Sequence, residues 1–208
     1  MKRSDRVYLA TILALSACAT LIPASAFAAG MNATLAELAA DASPTPTYLA
    51  DRQQIEDLEI AYATAHNTTN PDIYRRIFTD DAQITSATGT VLIDGLQKIL
   101  AEVATDRERF NAQATPGTET YGNMRHIITN TVVAVHGDTA DATCYLLNTA
   151  YNPNTKKPEI LSMGRYADQL VKKNGEWRIR RRALISDWGN DELARIIGVG
   201  PYTPKKYR

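Results

Sequence analysis

Three histidines, His66, His126 and His136, are the side chains of this chain whose unperturbed charge changes close to neutral pH. His126 lies in a β-branched run, residues 124–135, where a strand could hold an imidazole as a general base. The same residue could also be a strand histidine satisfied by backbone groups. His66 at a helix end and His136 at a turn read as solvated. None of the three stands in an H-x-x-x-H spacing, so no metal site is expected. With no G-x-G-x-x-G and no P-loop, no cofactor is expected either. Tyr62 falls on an apolar helical stripe, as core or as a phenol facing a site. In Arg180-Arg181-Arg182, strict alternation places Arg180 and Arg182 on one side of a strand and Arg181 on the other. A buried Arg182 would then need a substrate anion or an acidic neighbour such as Asp187. Trp177, Tyr166, Leu170 and Cys144 read as core.

The elements that must position these residues change period along the chain. Asp51 and Gln54 form the pair of a capping box, and Ile55, Leu58, Tyr62 and Ala65 follow on one helical face. That helix ends near residues 66–70, and Asn70-Pro71 opens a short second helix through Phe78. Residues 79–82 read as a turn, Gln83–Ser86 and Val91–Ile93 as short strands, and Gly95–Phe110 as a third helix with Leu96, Ile99, Leu100 and Val103 inward. The period then becomes two, predicting strands over 124–135, 140–151, 159–172 and 176–188, joined at His136-Gly137-Asp138, Asn152-Pro153-Asn154 and Lys173-Asn174-Gly175. Helices first and an antiparallel meander second is an α+β order. A strongly bent antiparallel sheet wrapped around the N-terminal helices would leave one conical pocket.

The N-terminus carries Lys2, Arg3 and Arg6, an apolar run from Val7 to Pro23, and small residues in A-x-A spacing up to Ala28. That is the layout of a signal peptide, predicting export, with a periplasmic location after cleavage near Ala28. Leu15-Ser16-Ala17-Cys18 offers a lipoprotein alternative, with Cys18 as the lipidated residue. The chain has 23 basic and 23 acidic residues, and loss of Lys2, Arg3, Asp5 and Arg6 leaves 20 and 22. Without a basic excess, nucleic acid is not an expected partner. No second apolar stretch suggests a membrane span. Cys144 would be the lone thiol of the mature chain, so stability should rest on the core. The organisation read from the sequence is a signal peptide (1–28), a linker (29–50), one domain (51–188) and a tail (189–208) that could cover the pocket mouth or make a subunit contact.

Six segments, taken in order, resemble one family. They are Ile55-x-x-Leu58-x-x-x-Tyr62-x-x-Ala65, Phe78-x-x-Asp81-Ala82, Arg125-His126-x-x-x-Asn130, Gly137-Asp138-x-Ala140, Gly164-x-Tyr166-x-Asp168, and Gly175-x-Trp177-Arg178-Ile179-x-x-Arg182. The chain thereby resembles the SnoaL-like family of the nuclear transport factor 2-like superfamily, in its scytalone dehydratase, bile-acid dehydratase and lindane dehydrochlorinase branch. The resemblance implies an α+β cone and a cofactor-independent lyase that eliminates water, a halide or a small carbonyl from an aromatic or cyclic molecule. It places His126 as the base, Tyr62 and Arg182 as its catalytic partners, and Asn67 and Asn148 against the substrate. The family has an aspartate where this chain has Asn67, which removes a charge that would support imidazolium. Two other readings stay open: a non-catalytic cone that binds a small ligand or a partner chain, and a ring isomerase or cyclase using an inward carboxylate such as Asp168 or Asp187. A small hydrophobic or aromatic substrate is the expected partner, and a homo-oligomer is left open.

Overall fold

The first helix starts earlier than its apparent capping box. In the computed structural model, which describes residues 45–109 and 124–199, helix α1 spans Pro46–Thr68. Thr45 is its cap, accepting the Tyr48 backbone N–H on Oγ1 at 3.2 Å, and Pro46 occupies the first turn, where its missing N–H costs nothing. Residues 46–50, read as linker, are therefore helical. Asp51 is not a cap; it is buried and accepts bonds from Lys172 Nζ at 2.6 Å and Trp177 Nε1 at 3.0 Å, pinning α1 to the sheet. The helix stops at Thr69, which takes a left-handed φ of 52°. Asn70 then caps α2 (Pro71–Ile77) by accepting the Asp72 N–H at 3.0 Å.

Strand β1 (Phe78–Ser86) follows directly, so residues 79–82 are strand and not the predicted turn. Next come β2 (Val91–Asp94) and α3 (Leu96–Arg109), with Leu96, Ile99 and Val103 buried as expected. The other end of the expected helix, Phe110, lies outside the described residues, as do the proposed signal peptide and the last part of the tail. Four long strands make the meander: β3 (Met124–His136), β4 (Thr139–Asn152), β5 (Lys157–Lys173) and β6 (Glu176–Gly189). The sheet order is β2-β1-β6-β5-β4-β3. Its β1–β6 pairing is parallel, which makes the sheet mixed where an antiparallel one was expected. A parallel neighbour is reachable here because the intervening chain is nearly the whole domain.

Bulges bend the long strands and set which residues face inward. On β3 the register slips between Thr129 and Val132, and Asn130 takes a φ of 55°, a conformation Asn tolerates better than most residues. On β6, Arg182 pairs with Asp168 and Arg181 with Gln169, but Leu170 pairs with Ile179. Arg180 is the extra residue, so the inward phase passes from Trp177 and Ile179 to Arg182, leaving Arg180 and Arg181 both exposed. Strict alternation across the arginine run is thereby corrected. At the β5–β6 slip beside Gly164, a Cβ would lie 2.2 Å from the Ile185 carbonyl oxygen, so only glycine lets the strands approach.

The core lies between α1–α3 and the inner face of the sheet, built from Ile55, Leu58, Tyr62, Tyr74, Phe78, Ile99, Tyr166, Trp177 and Ile179 among others. A smaller cluster joins Met124, Ala150 and Leu161 to Leu193 and Ala194 of α4 (Asp191–Ile196). Met124 and Ala150 are two residues from His126 and Asn148 on the same strand faces. The tail helix thus covers the end of the cone next to His126.

Candidate active site

The last turn of α1 sets Asn67 against the inner face of β3, where strand phase points His126 inward. Oδ1 of Asn67 accepts the His126 backbone N–H at 2.7 Å and lies 3.3 Å from its Nδ1. A backbone N–H can only donate, so the Asn67 atom facing it is the carbonyl oxygen. That oxygen can only accept, so Nδ1 of His126 carries the hydrogen and Nε2 keeps the lone pair. The amide thus selects one tautomer without supplying charge. Burial drives the His126 imidazole well below its ordinary pKa, and the Arg182 charge, like a proton on His66, acts in the same direction. The ring is neutral at pH 7.

Tyr62 stands edge-on to His126, with ring centroids 6.4 Å apart and planes at 89°. Its phenol is pushed up by burial, with the Arg182 charge opposing, and stays protonated at neutral pH. The Arg182 guanidinium carbon lies 4.0 Å from the Tyr62 ring centroid and 4.3 Å from that of Tyr166. Arg182 has 0% exposed surface. Its Nε donates to Asp168 Oδ1 at 2.8 Å, and Nη2 donates to Asp168 Oδ2 and to Glu59 Oε2. Its acidic partners are therefore Asp168 and Glu59, not Asp187, which sits 3.5 Å from Arg165 on the neighbouring strand. Burial acts to lower the Arg182 pKa, and the two carboxyls outweigh it. Glu59 is pushed well up by burial and by Asp168, against the pull of Arg182. Asp168, the inward carboxylate an isomerase would need, is held by two bonds from a cation.

Asn148 is the Cα partner of His126 across β3–β4 and is also buried. Its Nδ2 donates to Ser162 Oγ at 3.1 Å, and its Oδ1 is buried without a hydrogen bond. The five residues singled out in the sequence converge on one region: Asn67, His126, Tyr62 and Arg182 in consecutive contact, with Asn148 beside His126 on the next strand. Tyr74, Phe78 and Tyr166 complete an aromatic wall around Tyr62.

Three residues of this region were not singled out. His66 is buried, not solvated, and its ring stacks on His126 with centroids 3.9 Å apart and a 35° tilt. Its pKa is lowered to about 4, mainly by burial. Asp106 of α3 is buried beside it, Oδ2 lying 3.9 Å from His66 Nε2. Glu59 is the third. One signal was available for two of them: Glu59 and His66 lie three residues before and four after Tyr62, on its helical face. Among the described residues, no group of three or more His, Cys, Asp or Glu side chains could hold a metal ion. No described helix is long and apolar enough to cross a membrane.

The sequence profile of the SnoaL-like domain matches residues 47–183. Among curated protein sequences none matches this chain significantly. Solved structures of the same fold include a protein designated a candidate scytalone dehydratase from Novosphingobium aromaticivorans, with a TM-score of 0.59 and 19% identity, covering 78% of this chain and 100% of that one. A protein of unknown function from Mycobacterium tuberculosis has a TM-score of 0.58 and 22% identity, over 75% of this chain and 89% of that one. A hexachlorocyclohexane dehydrochlorinase from Novosphingobium barchaimii has a TM-score of 0.54 and 17% identity, over 68% and 90% of the two chains.

Proposed function

This chain belongs to the SnoaL-like domain family, and on that premise we propose that it is a cofactor-independent lyase acting on a small, neutral, cyclic or aromatic molecule. The observation that carries the reading is the Asn67–His126 contact, which leaves Nε2 of a neutral imidazole as the proton acceptor. Names borne by proteins of this fold, a dehydratase and a dehydrochlorinase, support elimination as the reaction class.

In the proposed reaction, Nε2 of His126 takes the proton from the carbon next to the one bearing the leaving group. The electron pair of that C–H bond becomes the new C=C bond, and the bond to the leaving group breaks. A departing hydroxide takes the Tyr62 phenolic proton and leaves as water; the tyrosinate then recovers a proton from the His126 imidazolium, which restores the starting state. Tyr62 suits the acid role because it is protonated at neutral pH and the guanidinium over its ring favours the transient tyrosinate, opposing the burial that raises its pKa. Arg182 acts through Tyr62, over whose ring it lies, with its Nε and Nη2 donors turned to Asp168 and Glu59. Asn148 faces the substrate beside the base.

The test is turnover of cyclic alcohols, aromatic diols and halogenated rings by the purified protein and by His126→Ala. General-base assistance contributes about 10²–10⁴-fold, so the variant should lose on that order of rate with its fold intact. Turnover that survives the substitution refutes the base. Saturable binding of a ring compound with no turnover would instead make the protein a non-catalytic cone.

A further inference from the structure

Two buried groups beside His126 have no part in that elimination. Consecutive positions on α1 grip the imidazole from different directions: Asn67 takes its Nδ1 edge and His66 its face. Behind His66, on α3, stands Asp106, within ion-pair range of Nε2 but beyond a hydrogen bond at 3.9 Å.

A base that accepts a proton becomes a cation, and something must balance it. The groups around the two imidazoles come from five elements. Tyr62 of α1, Tyr74 of α2 and Tyr166 of β5 are neutral phenols. Arg182 of β6 is a cation matched by Asp168 and Glu59. Asn67 has no charge to offer. Outside the Arg182 cluster, the carboxylate that the described residues bring to the pair is Asp106, on the far side of His66.

We propose that His66 is a positioning residue for His126, its ring face meeting the imidazolium and its far nitrogen meeting Asp106, so that Asp106 does the balancing that a carboxylate at position 67 would do. The proposal rests on the reading of His126 as a base. No proton moves along the stack; the support is electrostatic, a cation over a ring whose N–H dipole is aligned by a carboxylate. The proposal requires opposite tautomers. A carboxylate only accepts, so the proposal puts the His66 hydrogen on Nε2, the nitrogen that faces Asp106, and the lone pair on Nδ1, the atom that is buried without a partner. His126 carries its hydrogen on Nδ1.

The experiment is long-range ¹H–¹⁵N NMR of the histidine rings in the full protein, which needs no substrate; the half-exposed His136 is the internal reference. At neutral pH, His126 should be the Nδ1–H form and His66 the Nε2–H form, both neutral. The charge is then read in an Asn67→Asp background, where the His126 midpoint lies higher and is easier to reach. Adding Asp106→Asn should lower that midpoint by about one pH unit, tenfold in proton affinity, and let His66 populate both tautomers. A His66 already mixed in the unmodified protein overturns the proposal, and so does a His126 midpoint indifferent to Asp106→Asn. The first readout stands even if the double variant does not fold. Loss of turnover in His126→Ala beside a negative NMR result would leave the base in place and remove only its support.

Discussion

Replacing Arg182 with methionine separates a charge cluster from mere filling of space. The side chain is wholly buried and holds two carboxyl groups that are themselves buried. Methionine keeps most of the length and apolar contact but leaves Asp168 and Glu59 without their cation. Breaking a buried pair by removing one partner costs about 3–5 kcal/mol at neutral pH. Against a total of roughly 5–15 kcal/mol, that is at least about a fifth of the stability of an ordinary domain. At about 2–4 °C per kcal/mol for a chain of this size, the midpoint of thermal unfolding should fall by roughly 6–20 °C. The sign of the pH dependence identifies the cause. Without Arg182, the buried Glu59 carboxyl holds its proton still more readily in the folded protein than in the unfolded chain, where it titrates near 4. Stability of the variant therefore falls as pH rises above that range, and its deficit shrinks toward pH 4. Burial already raises Glu59 in the wild type, so the substitution steepens a slope that is present. Urea unfolding followed by Trp177 fluorescence at two pH values measures this. Adding Asp168→Leu and Glu59→Leu should recover much of the loss, since apolar replacement of a buried ionic cluster is often neutral or better. A deficit that is equal at pH 4.5 and pH 7, or no deficit at pH 7, would refute the reasoning.

Asn67→Asp alone should raise the His126 midpoint by about 1–3 pH units, because a carboxylate would stand 3.3 Å from Nδ1; an NMR titration that does not move would mean the contact is absent in solution. Gly164→Ala should destabilise the β5–β6 pairing by about 3 kcal/mol or more, a strand displacement being needed to clear the Ile185 carbonyl, and calorimetry of the variant checks it. Export is proposed from the N-terminal pattern, so mass analysis of protein from the native host should find a start near Ala29; an intact Met1 or a lipid on Cys18 would reject that cleavage.

The elements were legible because local signals and the global fold agree over most of the chain. Asn70-Pro71 opens a helix, the turn residues at 137–138, 152–154 and 173–175 join strands, and the β-branched run from Met124 becomes β3. What was lost lay where a periodicity argument has no purchase. The helix start moved because Thr45-Pro46 outcompeted Asp51-x-x-Gln54, and Asp51 had a tertiary use in holding Lys172 and Trp177. The arginine run was misphased because one bulge residue inverts every side chain beyond it. Buried polar residues on α1 were hidden for a related reason: Glu59 and His66 break the apolar stripe, and only the presence of Arg182 and His126 opposite them makes burial affordable.

The charges inside the cone also argue about what can enter it. Arg182 is the cation nearest Tyr62: Asp168 and Glu59 take its Nε and Nη2 donors and two aromatic rings lie against its planes, while Nη1 is buried without a hydrogen-bond partner. An anionic ligand reaching Nη1 would stand beside two buried acidic side chains already bonded to that guanidinium, and would gain no net charge pairing there. Near His126, Nε2 keeps a lone pair, the Asn148 oxygen is buried without a hydrogen bond, and the protonated Tyr62 phenol supplies a donor. Two acceptors and a phenol in an aromatic interior suit the neutral molecule with a hydroxyl or an acidic C–H that we propose better than a carboxylate or a phosphate. An anion-binding cone would need the opposite arrangement, with Arg182 free and its carboxylates absent. The polar pattern of the interior, not the fold, is therefore what supports the neutral substrate we propose.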